Sequence, residues 1–228
     1  MIHPSQLKRL FLAFGAALDL SGAALAAPTY GNIAAPGVYF GTGNVNGNWT
    51  IGTDNGVEVA LRAKNRGTGA TIDGSSGIYQ TAQGLCTVCS GSPKATWNYE
   101  FSVNTAAGTN SFDLNNVFVE LAVDTDSSAG INFTSLFNAK AHWGDNAFNG
   151  TDGFQNSQNP AFGDSGFGFV PGPGLYDFRL TVYAGTNAAG RVLSQVETTV
   201  QVVPEPASIA LVGLALFGLV AVGRRQRK

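Results

Sequence analysis

Two cysteines stand close together in Cys86-Thr87-Val88-Cys89, and the chain holds no others. Thiols at this spacing can close a disulfide, ligate a metal or run thiol–disulfide exchange. Exchange chemistry needs a βαβ setting with a helix starting at the first cysteine, which the flanking sequence lacks. Haem attachment needs a histidine after the second cysteine, where Ser90 stands. Zinc needs further ligands, and beyond the N-terminal region only His142 remains. In an oxidising compartment two such thiols pair with each other, so the expectation is a Cys86–Cys89 disulfide. A second cluster, Asp124-Thr125-Asp126-Ser127-Ser128, sets side-chain oxygens of Asp124, Asp126 and Ser128 at alternate positions, a spacing that a hard cation such as calcium favours. A calcium loop counted from Asp124 would need Gly and Glu at its sixth and twelfth places, where Ala129 and Ser135 stand. The competing expectation is a turn capped by its own carboxylates. No resident cofactor is expected, and calcium at this turn is the one metal the sequence raises.

Ser165, in Gly163-Asp164-Ser165-Gly166, would be a nucleophile if His142 served as its base and Asp145 or Asp152 oriented that base. The tetrapeptide resembles the nucleophile segment of chymotrypsin-like serine proteases, but that family continues with Gly-Pro where Phe167-Gly168 follow. The family's histidine also lies well upstream in Ala-Ala-His-Cys, whereas His142 sits in Ala141-His142-Trp143. No pair of carboxylates is singled out for glycoside hydrolysis. The expectation is a chain that is not an enzyme. Trp49, Trp97 and Trp143 could stack on sugar rings, with Trp143 the surface candidate and Trp97 expected to be buried on an alternating strand.

The ends of the chain dictate where any such chemistry would operate. Lys8 and Arg9, the apolar run Leu10 to Leu18 and Ala24-Leu25-Ala26 follow the charged, apolar, small-residue order of a secretory signal peptide, residues 1–26, with cleavage expected after Ala26. At the other end, Val203-Pro204-Glu205-Pro206 precedes an apolar segment, 207–222, and a basic tail, 223–228, that holds Arg224, Arg225, Arg227 and Lys228. As a helix the apolar segment would rise roughly 24 Å, short of a hydrocarbon core of about 30 Å, so the bilayer thins or the basic side chains snorkel. Cations directly after a span stay cytoplasmic, which places residues 27–202 on the far side of the membrane. Both prolines lack amide donors and disfavour helix at the residue before them, so the motif should be extended at the membrane edge.

Pro204-Glu205-Pro206, the apolar segment and the basic tail together resemble the PEP-CTERM sorting signal of Gram-negative bacteria. That resemblance implies recognition by an exosortase, a membrane transpeptidase-like enzyme that cleaves near the motif. Pro204, Glu205 and Pro206 would then be recognition residues, and the chain would be exported through the inner membrane, transiently anchored, then displayed or released among extracellular polysaccharide. The cysteine pair ahead of Trp97-Asn98-Tyr99-Glu100-Phe101, together with Val123-Asp124-Thr125-Asp126, Asn156-Ser157-Gln158-Asn159 and Pro173-Gly174-Leu175-Tyr176, is similar to a recurring group of PEP-CTERM ectodomains. No activity follows from that second resemblance.

Between the ends lie about 175 residues, enough for one domain with a core. With 12% charged residues and a net charge of -2, there is no basic field to neutralise phosphates, and nucleic acid is not an expected partner. Thirty glycines and few strong helix formers argue for strands and tight turns. Period-two alternation marks strands at Val57 to Leu61, Trp97 to Val103, Val117 to Val123, Tyr176 to Tyr183 and Val192 to Val202, with turns at Asp54-Asn55-Gly56 and Ala189-Gly190 among others. A short helix is expected near Ser135 to Ala139, and from Gly144 to Gly168 either a long binding or lid loop, with Phe148, Phe154, Phe162, Phe167 and Phe169 pinning it to the sandwich, or a disordered segment. The expected architecture is all-β, an antiparallel sandwich or jelly-roll-like ectodomain flanked by an N-terminal signal helix and a C-terminal transmembrane helix.

Overall fold

Asn55 and Gly56 both adopt positive φ, 50° and 75°, the pair of left-handed conformations of a type I′ turn, whose twist matches that of the strands it joins. It links strand β2 (Trp49–Asp54) to β3 (Val57–Asn65). The computed structural model describes residues 25–34, 45–91, 93–128, 130–142, 147–148, 151–163 and 166–204. The other strands are β1 (Thr29–Gly31), β4 (Ile78–Ala82), β5 (Trp97–Asn104), β6 (Val117–Asp124), β7 (Thr134–Asn138), β8 (Ala147–Phe148), β9 (Gly153–Gln158), β10 (Gly174–Ala184) and β11 (Val192–Val203). They form two sheets, ordered β1-β2-β3-β5-β9-β8 and β4-β11-β10-β6-β7.

The core lies between the sheets because alternate residues of each point inward. Val57, Val59 and Leu61 of β3 and Trp97, Tyr99, Phe101 and Val103 of β5 meet Val196, Val200 and Val202 of β11 and Phe178, Leu180 and Val182 of β10. Phe178 packs tilted on Tyr99 at 4.9 Å and edge-on to Trp97 at 6.2 Å, geometries that aromatic quadrupoles favour. The sheets approach closely at Gly52: a Cβ there would lie 2.3 Å from the Gln195 carbonyl oxygen.

All five strands read from alternation are present. Three features of the architecture differ from the sequence reading. The pairing of β4 with β11 is parallel, so the second sheet is mixed and not purely antiparallel. Thr134–Asn138 is strand β7 with a 3-10 turn, Ala139–His142, after it, where a helix was expected; pairing with β6 prevails over local propensity. The expected loop 144–168 contains β8 and β9, and β9 joins the first sheet beside β5. Its signal was hidden because Gly153-Phe154-Gln155-Asn156-Ser157-Gln158 offers one apolar side chain to the core and polar groups elsewhere. Of the five phenylalanines there, Phe154 is fully buried and Phe167 packs against the core, whereas Phe169 is exposed. Among the described residues no helix is long and apolar enough to cross a membrane; the expected span 207–222 and nearly all of the signal segment lie outside them.

Candidate functional site

Strand β11 delivers the C-terminal motif. It lies between β4 and β10, with Val202 opposite Gly174 on one side and Thr81 on the other, and the Gln83 amide donates to the Val203 carbonyl at 2.8 Å. Val202 is buried in the core, Val203 is half-buried and Pro204 is exposed. Proline has no amide to continue the ladder, so pairing stops where the motif starts, with no linker between domain and motif. Glu205, Pro206, Arg224, Arg225, Arg227 and Lys228 lie outside the described residues.

The end of the sandwich at this exit is built from neighbouring connections. Cys86 and Cys89 are joined by the expected disulfide, Cα–Cα 5.4 Å, within the normal reach of such a bond. The bridge between Leu85 and Ala95 and the Thr96 hydroxyl, which donates to the Ala82 carbonyl at 2.5 Å, fasten the disulfide loop beside the exit. Residues 159–163 and 166–173 close the same end: the Asn159 amide donates to the Ala95 and Trp97 carbonyls at 3.1 and 2.8 Å and accepts from the Ala95 amide at 2.9 Å. Two shallow grooves flank the turn at Gly67-Thr68. One, of about 510 Å³, is lined by Lys64, Arg66, Ser90, Asn98 and Ser157; the other, of about 660 Å³, by Leu85, Cys86, Val88 and Thr96. With its oxygen toward the guanidinium, the Asn98 amide accepts from Arg66 Nη1 at 3.0 Å and from Ser157 Oγ at 2.8 Å.

Behind the first groove, the outer face of the first sheet is polar yet buried. Register places Arg62 opposite Glu100 and Glu100 opposite Ser157. Glu100 accepts from Arg62 Nε at 2.6 Å and pairs with Lys64 Nζ at 2.8 Å, with the Arg62 and Glu100 side chains fully inaccessible. Arg62 Nη1 donates to the Val45 and Gly47 carbonyls, and the guanidinium stacks 4.1 Å over the Trp49 ring. Sequence reasoning missed this cluster because it followed only the apolar face of β3 and β5, and the Arg62–Glu100 pairing depends on their register. The available signal was Arg62 and Glu100 sitting at outward positions of two strands separated by turns.

At the Asp124 turn the carboxylates fold the loop. Asp124 Oδ1 and Oδ2 accept from the Asp126 and Asn132 amides at 3.0 and 2.7 Å, and Asp126 Oδ1 accepts from the Ser128 amide at 2.6 Å. The Ser128 hydroxyl and amide hold the Asp126 carboxyl below its ordinary value. This is the capped turn, and among the described residues no group of three His, Cys, Asp or Glu side chains is placed to hold a metal ion. Trp97 is buried, as expected, and Trp49 is buried too, so neither offers a stacking face; Trp143 lies outside the described residues. Ser165 and Asp145 also lie outside them, and of His142 only its place in the 3-10 turn is described.

The class defined by this geometry is an all-β, two-sheet domain whose last strand runs without a linker into a proline-flanked C-terminal segment. Residues 202–228 match the model of the PEP-CTERM protein-sorting motif, so the chain carries that motif, and the match begins inside β11. A motif of this kind implies export, membrane-associated sorting and recognition by an exosortase. No curated protein and no solved structure matches the chain.

Proposed function

We propose that the chain is an exported surface or matrix protein, structural or adhesive in an extracellular polysaccharide matrix. Residues 1–26 direct export, 27–202 form the displayed sandwich, 207–222 hold the chain in the inner membrane with a cytoplasmic tail, and an exosortase-type enzyme cuts near Pro204-Glu205-Pro206. The observation that carries this reading is the direct continuation of β11 into the matched motif, with Pro204 exposed at the boundary. The structural role is favoured over a carbohydrate-binding module because Trp49 and Trp97 are inside, and no aromatic side chain lines either groove. The proposal assigns no catalytic residue and no cofactor. Replacing Pro204-Glu205-Pro206 by Ala-Ala-Ala in the native cell tests it. Retention of unprocessed chain in the membrane fraction supports sorting through the motif, and unchanged release refutes it.

A further inference from the structure

Among the described residues, the exit end differs from the opposite end in what it shows to solvent. Leu85, Val88, Ile131 and Phe169 are exposed by 53, 77, 62 and 45%, and each stands on a connection at the exit end. Leu85 and Val88 belong to the disulfide loop beside Ala82. Ile131 lies in the loop after β6, whose Ser127 touches the start of β10 at Gly174, itself opposite Val202. Phe169 packs tilted against Phe167, ring centroids 5.6 Å apart, just ahead of β10. The half-exposed cations Arg66 and Lys94 lie among them. At the far end, the turns Asp54-Asn55-Gly56 and 185–190 carry no large apolar residue, and in the 105–116 connection Leu114 is buried and Phe112 packs against the core.

Chain length restricts what can face the exit end. Only Pro204-Glu205-Pro206 separate Val203 from the apolar segment 207–222, and three extended residues span at most about 10 Å. The headgroup layer is about 5–8 Å deep on each side of the hydrocarbon. A span rising roughly 24 Å is about 6 Å short of that hydrocarbon, so the bilayer thins toward it or the basic tail snorkels, and neither moves the motif outward. The folded end therefore stands at most about 2–5 Å beyond the headgroup layer, within reach of exposed side chains.

We propose that the exit end is a membrane-contact surface whose occupant is the headgroup layer of the bilayer holding 207–222, an inference that rests on reading that segment as a span. Leu85, Val88, Ile131 and Phe169 enter the interface, while Arg66 and Lys94 face lipid phosphates, the division of labour of interfacial anchors. The contact seats the sorting motif in the headgroup layer, where a membrane enzyme meets it.

The test uses the full chain reconstituted in vesicles of phosphatidylcholine and phosphatidylglycerol with brominated acyl chains. Tryptophan is introduced singly as Val88→Trp, Phe169→Trp and, at the far end, Asn187→Trp. Flotation reports anchoring and bromine quenching reports contact. The expected result is flotation of all three, with the fluorescence added by Val88→Trp and Phe169→Trp quenched at least about twofold more than that added by Asn187→Trp, because interfacial groups sit about 5–10 Å into the headgroup and acyl boundary. Flotation with equal quenching overturns the contact surface and leaves the anchor standing. Failure to float overturns the anchor, and the contact surface falls with it.

Discussion

Replacing Glu100 by Ala leaves Arg62 in the first sheet without its counter-charge. The two side chains are wholly inaccessible, Nε stands 2.6 Å from the carboxylate, and Lys64 Nζ holds the other oxygen at 2.8 Å. Surface pairs are worth up to about 1 kcal/mol, because water screens them and competes for their hydrogen bonds. Removing one partner of a buried pair costs about 3–5 kcal/mol, because the remaining charge keeps its desolvation penalty and loses what offset it. Arg62 cannot escape by swinging outward while Val45, Gly47 and Trp49 hold its guanidinium. Against a typical domain stability of about 5–15 kcal/mol, the loss would be a large fraction of the whole. Urea denaturation followed by fluorescence of the buried tryptophans Trp49 and Trp97 measures it. The double variant Arg62→Met/Glu100→Leu should be more stable than Glu100→Leu alone, because the stranded cation is gone. A cost below about 1 kcal/mol for Glu100→Ala, the surface value, would refute the claim that this polar face is desolvated.

Four further outcomes are expected. Gln155→Leu should raise stability by about 1 kcal/mol, since both polar atoms of the Gln155 amide are buried without a partner; a calorimetric Tm that falls counts against this. Gly52→Val should destabilise by about 3 kcal/mol or more, because its first side-chain atom already meets the Gln195 carbonyl at 2.3 Å; wild-type denaturation would mean the sheets separate freely there. Cys86→Ser/Cys89→Ser should cost about 2 kcal/mol, the loop-closure value for so short a loop, seen as a shift of the urea midpoint. The Asp73 carboxyl is held below its ordinary 3.8 by the hydrogen bond from the Tyr30 hydroxyl and then by Ser75. Because that folded-state value is depressed, the contribution of this contact is complete above the unfolded value and fades as pH falls through the folded one. An NMR titration of Asp73 with its midpoint at or above 3.8 would contradict it.

What could be read from the sequence follows the physics of alternation. Val57, Val59 and Leu61, or Val117, Val119 and Leu121, announce their strands because one face meets an apolar core. Asn55-Gly56 announces its hairpin because few other pairs tolerate two left-handed residues. Strand β9 was not legible, since Gln155 and Ser157 face a polar layer and only Phe154 marks the core side. Strand β7 was read as helix because Thr134-Ser135-Leu136-Phe137-Asn138 sets its two large apolar residues side by side and not in alternation. The disulfide was legible from spacing and compartment together, and the sorting motif from three ordered parts. The Arg62–Glu100 pair was not, because it needs the β3–β5 register, which emerges only when the sheet assembles. Nor was the apolar rim at the exit end, since Leu85, Val88, Ile131 and Phe169 come from three separate loops.

The central claim, export followed by sorting at the C-terminal motif, is tested most directly by the intact mass of the protein recovered from the membrane and extracellular fractions of the native cells. The expected result is an extracellular species that begins near Ala27 and ends near Pro204 to Pro206. A species that keeps Arg224 to Lys228 and remains wholly in the membrane would contradict it, and would make the C-terminal segment a permanent anchor.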